Sequence, residues 1–419
     1  MDHTLIPGVT VKRFREIIWV SQPQNGGPCH VTQEYRTNTR RGNFLEGLRL
    51  DLAKHDLAVV AIPADGSEVQ YVKRYSYADF LEFTAQIPSA TMVFEPGNGA
   101  NHFALRLQAQ GHTPKMVSGA SVKSWITLHM SGQKTDLNDA YALARLSEDP
   151  DLKTVRIKSV DQNRLQSLQA MRKQLVEQRT KTIVSIKGIF QCWGILFKKD
   201  SRSLKKFKEA ANNNKELLGE EVVEAMILQI DRIADLDKDI KHVEELLKKV
   251  TMQDPRAQPM LDIPCVGLQT VSRLCAIMGD IKDFETPRSF VAFIGLVPKN
   301  MISGNKTTTP SGYEQVGQGK VNRRGDKMAR SLIIQCASSM YMNFHKDNFP
   351  ECALKDWIQK QKDAHKPYGK IMVSLAAKLL RIIYAVLKHG EAFSYEKAGI
   401  SRSALAALKA AQPAEVGNA

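Results

Sequence analysis

From about residue 160 to 250 apolar residues recur every seven positions, in two separate series. Leu168, Leu175, Thr182 and Ile189 form the first. Met226, Ile233, Ile240 and Leu247 form the second, interleaved with Leu236, Val243 and Val250, with Gln229 as one polar interruption. A step of seven is nearly two helical turns, so each series draws one stripe down a long helix, the seam of a coiled coil. NNNKELLGEE at 212–221 lies between them as a turn. A helical hairpin within one chain and a contact between copies both satisfy this pattern. The expectation adopted is that the seam contributes to a homo-oligomer, a dimer or tetramer. The helical region, taken as 159–255, thus divides the chain into an extension (1–45), a first domain (46–158) and a last domain (256–419).

The first domain reads as alternating strands and helices. LRLDLA (48–53), LAVVAIP (57–63) and EVQYVKRY (68–75) are predicted strands, the last two separated by the turn ADGS. SYADFLEF (76–83) opens a helix with Ser76 as N-cap and Asp79 at N3. TMVFE (91–95) is a short strand, GANHFALRLQAQG (99–111) a helix stopped by Gly111, and PKMVSG (114–119) a further strand. The order is three strands, helix, strand, helix, strand, helix. That is the ribonuclease-H-like arrangement, an antiparallel meander extended by parallel crossover units. The predicted fold class is therefore α/β plus all-α.

In SGQKTDLNDAYALARL (131–146), Asp136 and Asp139 stand three apart on a predicted helix, so they share a face. Taken alone they read as the N-cap and N3 residue of a helix start. The element order gives them another meaning, because Asp51 falls on the first strand and Glu95 at the end of the fourth. Carboxylates about 4 Å apart repel by roughly 4 kcal/mol at an effective dielectric of 20, so gathering four of them calls for divalent cations. Oxygen-only ligation selects Mg2+, with Mn2+ as the alternative. Two such ions clamp the attacking and leaving oxygens of a phosphodiester.

The 419-residue chain carries a formal charge of +15 with no polylysine tail to account for it. Such an excess points to a polyanionic partner, most simply nucleic acid. Residues 1–45 are irregular, with QPQNGGP at 22–28 and the basic cluster RTNTRR at 36–41, and read as an extension that orders on a partner. No apolar run approaches a bilayer span and no signal-peptide core is evident, so no membrane contact is expected. The six cysteines are scattered without C-x-x-C pairs, which suits reduced residues in a cytoplasmic, nucleoid-associated protein and gives no zinc site.

In the last domain, Pro264 and Gly267 bracket a tight turn in LDIPCVGLQTVSRLCAIMGDI (261–281), as in a helix-hairpin-helix unit. Such a turn aims backbone N–H groups at a phosphate. A Ser/Thr/Gly-rich loop then precedes Lys320, Arg323, Arg324, Lys327 and Arg330, the last three at helical spacing, a candidate nucleic-acid-binding set. A serine beside such a cluster is a candidate nucleophile toward phosphorus.

VFEPGNGANHFALRLQAQGH, KTDLNDA, IPCVG, GLVPKNMISG and GKVNRRGDKMAR together resemble the motif series of the insertion-sequence transposases numbered one-hundred-and-ten, most closely the subgroup numbered eleven-eleven. The resemblance runs from about 46 to 345, and its motif order is more specific than any one motif. It implies a RuvC-like domain with a DEDD carboxylate set on Asp51, Glu95, Asp136 and Asp139, a coiled coil, and a C-terminal transposase domain with a reactive serine at Ser303. It also implies a guide RNA, called bridge or seeker RNA, that pairs with donor and target double-stranded DNA. Three departures stand out. Cys265 occupies the first glycine of the family's IPGIG turn, the first strand reads LRLDLAKH, and the serine loop is long, with a second serine–glycine at Ser311. The function expected is RNA-guided DNA recombination. A metal-dependent RuvC-like endonuclease without a covalent intermediate is the alternative, and a non-catalytic nucleic-acid scaffold the third reading.

Overall fold

The structure, a computed structural model, describes residues 47–52, 56–62, 70–130, 139, 142, 143, 145, 146, 149, 152–198, 202–301, 317–322, 324–344 and 351–398. The N-terminal extension, the ADGS turn, Asp136, Ser303, Ser311 and Arg323 lie outside them. The chain divides into two compact units between Ser159 and Val160.

The first unit is built on a six-stranded sheet. Its strands are β1 (Gly47–Leu52), β2 (Asp56–Ile62), β3 (Gln70–Ser76), β4 (Thr91–Phe94), β5 (Thr113–Val117) and β6 (Thr154–Val155), in the order β3-β2-β1-β4-β5-β6. β1, β2 and β3 form an antiparallel meander, β1, β4 and β5 run parallel, and the two-residue β6 closes the edge antiparallel. Helices α1 (Tyr77–Thr84), α2 (Ala100–Ala109) and α3 (Gly119–His129) follow β3, β4 and β5. The expected cap is present: the Ser76 side chain accepts a hydrogen bond from the Asp79 N–H at 3.1 Å. Strands β4 and β5 bury both faces, as crossover helices require. Met92 and Phe94 point into one core with Leu50, Phe80, Phe103 and Leu107, while Val93 points into another with Val117, Val122, Ile126, Ala142 and Leu143.

The second unit begins with a helical hairpin. Helix α4 (Val160–Cys192) and helix α7 (Glu220–Thr251) run antiparallel, joined through the short helices α5 (Leu204–Asn213) and α6 (Lys215–Leu218) where a simple turn was expected. Arg172 pairs with Glu244 and Arg179 with Asp237, both at 2.6 Å. The heptad residues Met226, Ile233, Ile240 and Leu247 are buried against this chain's own helices. Two positions depart from the seven-residue reading. Gln229 is exposed and Ile230 takes its place, and Ile189 is 37% exposed while Ile186 and Phe190 face inward. A straight helix of 3.6 residues per turn drifts about 20° per heptad, so over four heptads the buried stripe moves to neighbouring positions.

Helices α8 (Ala257–Leu261), α9 (Leu268–Ile277), α10 (Pro287–Ile294), α11 (Lys327–Asn343), α12 (Ala353–Asp363) and α13 (Tyr368–His389), with the two-stranded ribbon β7 (Pro298–Met301) and β8 (Gly317–Val321), complete the unit. Their core includes Val271, Phe290, Ile333, Leu375 and Tyr384, together with Leu165 and Leu247 from the open end of the hairpin. Gln162 of α4 donates to the carbonyls of Cys275 and Met278, at 2.9 and 2.6 Å, satisfying the C-terminal end of α9. Cys275 and Cys336 are buried and, among the described residues, every cysteine is free. Burial pushes the Cys275 thiol up to about 12, which makes it a core residue without thiolate chemistry.

Candidate active site

Strand register brings two of the expected carboxylate positions together. Leu50 of β1 pairs with Phe94 of β4 in the parallel ladder, so Asp51 and Glu95 are the next positions along these adjacent strands. Asp51 is placed by its backbone, opposite Ala58 of β2. Glu95 follows Val93 by two residues and therefore shares its sheet face, the face covered by α3.

The carboxylate of Glu95 rests at the start of α3. A Cβ built on Gly119, the first residue of that helix, stands 2.8 Å from Glu95 Oε2, so only a glycine leaves this space to the carboxylate. The preceding Ser118 caps the helix, its side chain accepting from the Ser121 N–H at 3.2 Å. A helix N-terminus carries partial positive charge and favours a carboxylate held in its ionised form. Sequence reading had ended a strand at Gly119 and missed this helix start. A serine followed by glycine before an apolar-periodic run was the available signal.

Asp139, Ala142, Leu143, Arg145 and Leu146 are helical. Ala142 and Leu143 pack into the core of Val93 and Val117. Asp139 precedes them by three and four residues, so it lies on the sheet-facing stripe of the same helix. The helix bearing Asp139 thus packs on the sheet face that carries Val93, and the Asp51 and Glu95 positions lie at the ends of adjacent parallel strands. Asp136 belongs to the undescribed residues, and among the described residues no group of three His, Cys, Asp or Glu side chains forms a metal cluster. The donor chemistry of the predicted set, oxygen alone, fits a hard divalent cation.

The second candidate centre is the loop carrying Ser303. Its two ends are the antiparallel strands β7 and β8, with Pro298 opposite Val321 and Met301 opposite Gly317. The base of this ribbon is clasped by backbone. Gly295, at φ 82°, lies directly against the Arg324 carbonyl, and Gly325, at φ 102°, against the Phe293 carbonyl, leaving no room for a side chain at either position. The Asn322 N–H donates to the Val297 carbonyl at 2.7 Å.

Asp326 caps α11, accepting from the Ala329 N–H at 2.7 Å, and forms a two-pronged ion pair with Arg273 of α9. Arg273 also donates to Gln169 Oε1 of α4 at 3.1 Å, and Gln169 donates to Ser272 Oγ at 2.8 Å. Sequence reading missed this network.

The basic cluster is arranged differently from the helical spacing expected. α11 starts at Lys327, so exposed Arg324 precedes it, and only Lys327 and Arg330 are helical. Arg330 is half-buried and donates to the carbonyls of Ile294 and Arg324 at 3.1 and 3.3 Å. Lys320 lies on β8 and is placed by its backbone alone. The turn of residues 262–267 joins α8 and α9 as the helix-hairpin-helix reading expected, and Cys265 sits in it at φ 64°. The cysteine adopts a left-handed conformation that favours glycine.

Comparison with known proteins adds independent information. The family profile described as "Transposase IS116/IS110/IS902 family" matches residues 257–351. A DEDD transposase profile of the IS110 type matches residues 50–192, and a DEDD domain suggests dependence on a divalent metal. The transposase for insertion sequence element IS1111A of Coxiella burnetii is 28% identical over 373 residues, covering 87% of this chain and 95% of that protein. The transposase for insertion sequence element IS1328 of Yersinia enterocolitica is 27% identical over 345 residues, 82% of this chain and 97% of that protein. A probable family 20 transposase of Pseudomonas aeruginosa is 26% identical over 352 residues, 82% of this chain and 97% of that protein.

Proposed function

We propose that this chain, which is similar to transposases of the IS116/IS110/IS902 family, cuts and rejoins donor and target DNA with a carboxylate-held metal centre and a serine nucleophile, directed by a structured guide RNA. The chain is a DNA transposase or recombinase.

The observation that carries the reading is the β1–β4 register, which sets Asp51 and Glu95 at the ends of neighbouring parallel strands. In open α/β sheets ligands bind outside such strand ends. Glu95 and the helix bearing Asp139 share one sheet face, which supports a RuvC-like DEDD domain. Asp51, Glu95, Asp136 and Asp139 would hold Mg2+, with Mn2+ as a substitute. A divalent cation bound there supplies positive charge to the oxygens of a reacting phosphodiester.

The chain's own residues do the rest. Gly119 leaves the carboxylate of Glu95 its place at the head of α3. The Ser303 hydroxyl attacks phosphorus, forming a serine–phosphate ester and releasing one DNA strand end as a hydroxyl. A strand-end hydroxyl later attacks that ester and frees the serine, so the phosphodiester is restored without ATP. Lys320, Arg323, Arg324 and Lys327 hold DNA phosphates beside this loop, while Arg330 braces the backbone beneath it. The charge of +15 suits a chain that carries RNA as well as DNA.

The test is adduct trapping. Wild-type protein, mixed with its RNA and DNA and then denatured, should retain covalently linked DNA, and Ser303→Ala should retain none while still binding both nucleic acids. Robust cleavage by Ser303→Ala with no wild-type adduct would point to metal-activated water. Loss of the adduct in Ser311→Ala alone would assign the nucleophile to the second serine. Ribonuclease treatment should abolish site choice; unchanged site choice would end the guided reading.

A further inference from the structure

The last turns of α4 and the segment that leads from them to α6 are basic. Residues 181–215 hold nine lysines and arginines against two acids, while α7 holds nine acids against five lysines and arginines. Glu220 and Asp231 of α7 take up two of these cations, pairing with Lys215 and Lys208 at 2.6 Å.

The basic residues also converge. A groove of about 330 Å³ runs along α4 and is lined by Arg179, Thr180, Lys187, Gly188, Gln191 and Arg202, with Ile183 and Val184 alongside. No acid lines it. Gly188 has nothing within 4 Å of its would-be side chain, so the floor stays open. Arg179 pairs with Asp237, and Lys187 donates to the Lys198 carbonyl at 3.2 Å, which ties the connection to α5 back onto α4. Arg202 is exposed and makes no ion pair among the described residues, as is also true of Lys181, Lys198 and Lys206. Arg202 stands just before α5, whose N-terminus is capped by Ser203 and adds a partial positive charge on the same side.

We propose that this groove is a second DNA contact, a seat for duplex backbone phosphates formed by Lys187 and Arg202, remote in sequence from the basic cluster at 320–330. It rests on the reading of the chain as a DNA-handling transposase and adds the place where the hairpin holds the duplex. Phosphate is the group that fits: the walls offer guanidinium, ammonium and amide donors, and the described lining includes no acidic side chain. Contacts to backbone phosphates carry no sequence information, which suits an enzyme whose site choice is delegated elsewhere.

The experiment measures the affinity of the full-length protein for a 40-base-pair duplex of arbitrary sequence across a salt series. Each phosphate contact contributes about 0.9 to the slope of log affinity against log salt. The double variant Lys187→Ala with Arg202→Ala should flatten that slope by roughly 2, with affinity several-fold weaker at low salt. Lys238→Ala with Lys241→Ala, which removes the same charge from α7, should leave the slope alone. An unchanged slope in the groove variant, or an equal change in the α7 variant, would overturn the proposal. So would an effect seen only with a structured RNA, or a change only in assembly mass, which would make the acidic α7 of a second copy the occupant. Failure of the catalytic reading is separable: Ser303→Ala abolishes strand transfer without touching the slope.

Discussion

The Glu95 carboxylate fills the space that any side chain at position 119 would need, its Oε2 lying 2.8 Å from the Cβ built there. Gly119→Ala should therefore turn the carboxylate away from α3 while the backbone tolerates the change. Alanine is the better helix former by about 1 kcal/mol, which offsets the local crowding. The expected outcome is a thermal midpoint within a few degrees of wild type and strand transfer reduced at least tenfold, as in Glu95→Gln. A fully active Gly119→Ala protein would show that Glu95 has no fixed position in the reaction.

Asp136→Asn and Asp139→Asn each remove one negative charge while keeping shape. If both belong to the metal centre, each should lower activity at low Mg2+ and recover part of it at raised Mg2+ or Mn2+. Ser303→Ala should recover nothing under the same titration. Equal rescue of all three, or of none, would separate the aspartates from the metal.

Cys265 holds a left-handed φ of 64° without being glycine. Such a conformation costs a non-glycine residue about 1–2 kcal/mol. Cys265→Gly returns part of this and gives up some unfolded-state entropy, so a net gain of about 0.5–1 kcal/mol is expected. Cys265→Val, branched at Cβ, should destabilise. Urea midpoints of the two variants check the sign of each.

The Arg273–Asp326 pair is mostly buried, with side chains 12% and 23% exposed. Removing Arg273 takes the guanidinium partner from a half-buried carboxylate, so Arg273→Ala should cost about 2–3 kcal/mol. Arg273→Met combined with Asp326→Asn should cost less than the two single changes added together. A double-mutant cycle gives that coupling directly. An additive cycle would show the pair to be incidental.

Ile233 lies within the hairpin's own interior rather than on a surface between copies. Ile233→Ala should cost about 2–5 kcal/mol as a cavity, and light scattering should show the same assembly mass as wild type. A fall in mass at unchanged stability would return the seam to a role between copies.

What could be read ahead of the structure followed locality. The strands near Leu50, Val59 and Phe94 were legible because apolar runs and turns declare themselves within a few residues, and the Ser76 cap because its partner is three residues away. The phase of the long helices was legible only in part. The choice between Gln229 and Ile230 depends on drift accumulated over the whole helix and on what lies opposite. The Gln169–Arg273–Asp326 network was not legible, because its members are 104 and 53 positions apart and nothing in one segment signals the other. Of the candidate site, the residue types and the register positions of Asp51 and Glu95 could be anticipated. The helix start that leaves space for Glu95 could not, since Gly119 reads equally well as the end of a strand.

The packing of Gly295 on the Arg324 carbonyl and of Gly325 on the Phe293 carbonyl bears on how such loops change over evolutionary time. The base of the ribbon is held by main chain against main chain, through Phe293 and Gly295 on one side and Arg324 and Gly325 on the other. Closing a loop costs free energy that grows only with the logarithm of its length, so doubling the segment adds about 0.6 kcal/mol. Insertions between Met301 and Gly317 are thus nearly neutral to folding. A lineage can lengthen the reactive loop, and so alter what it reaches, while the clasp beneath it admits no substitution at either glycine.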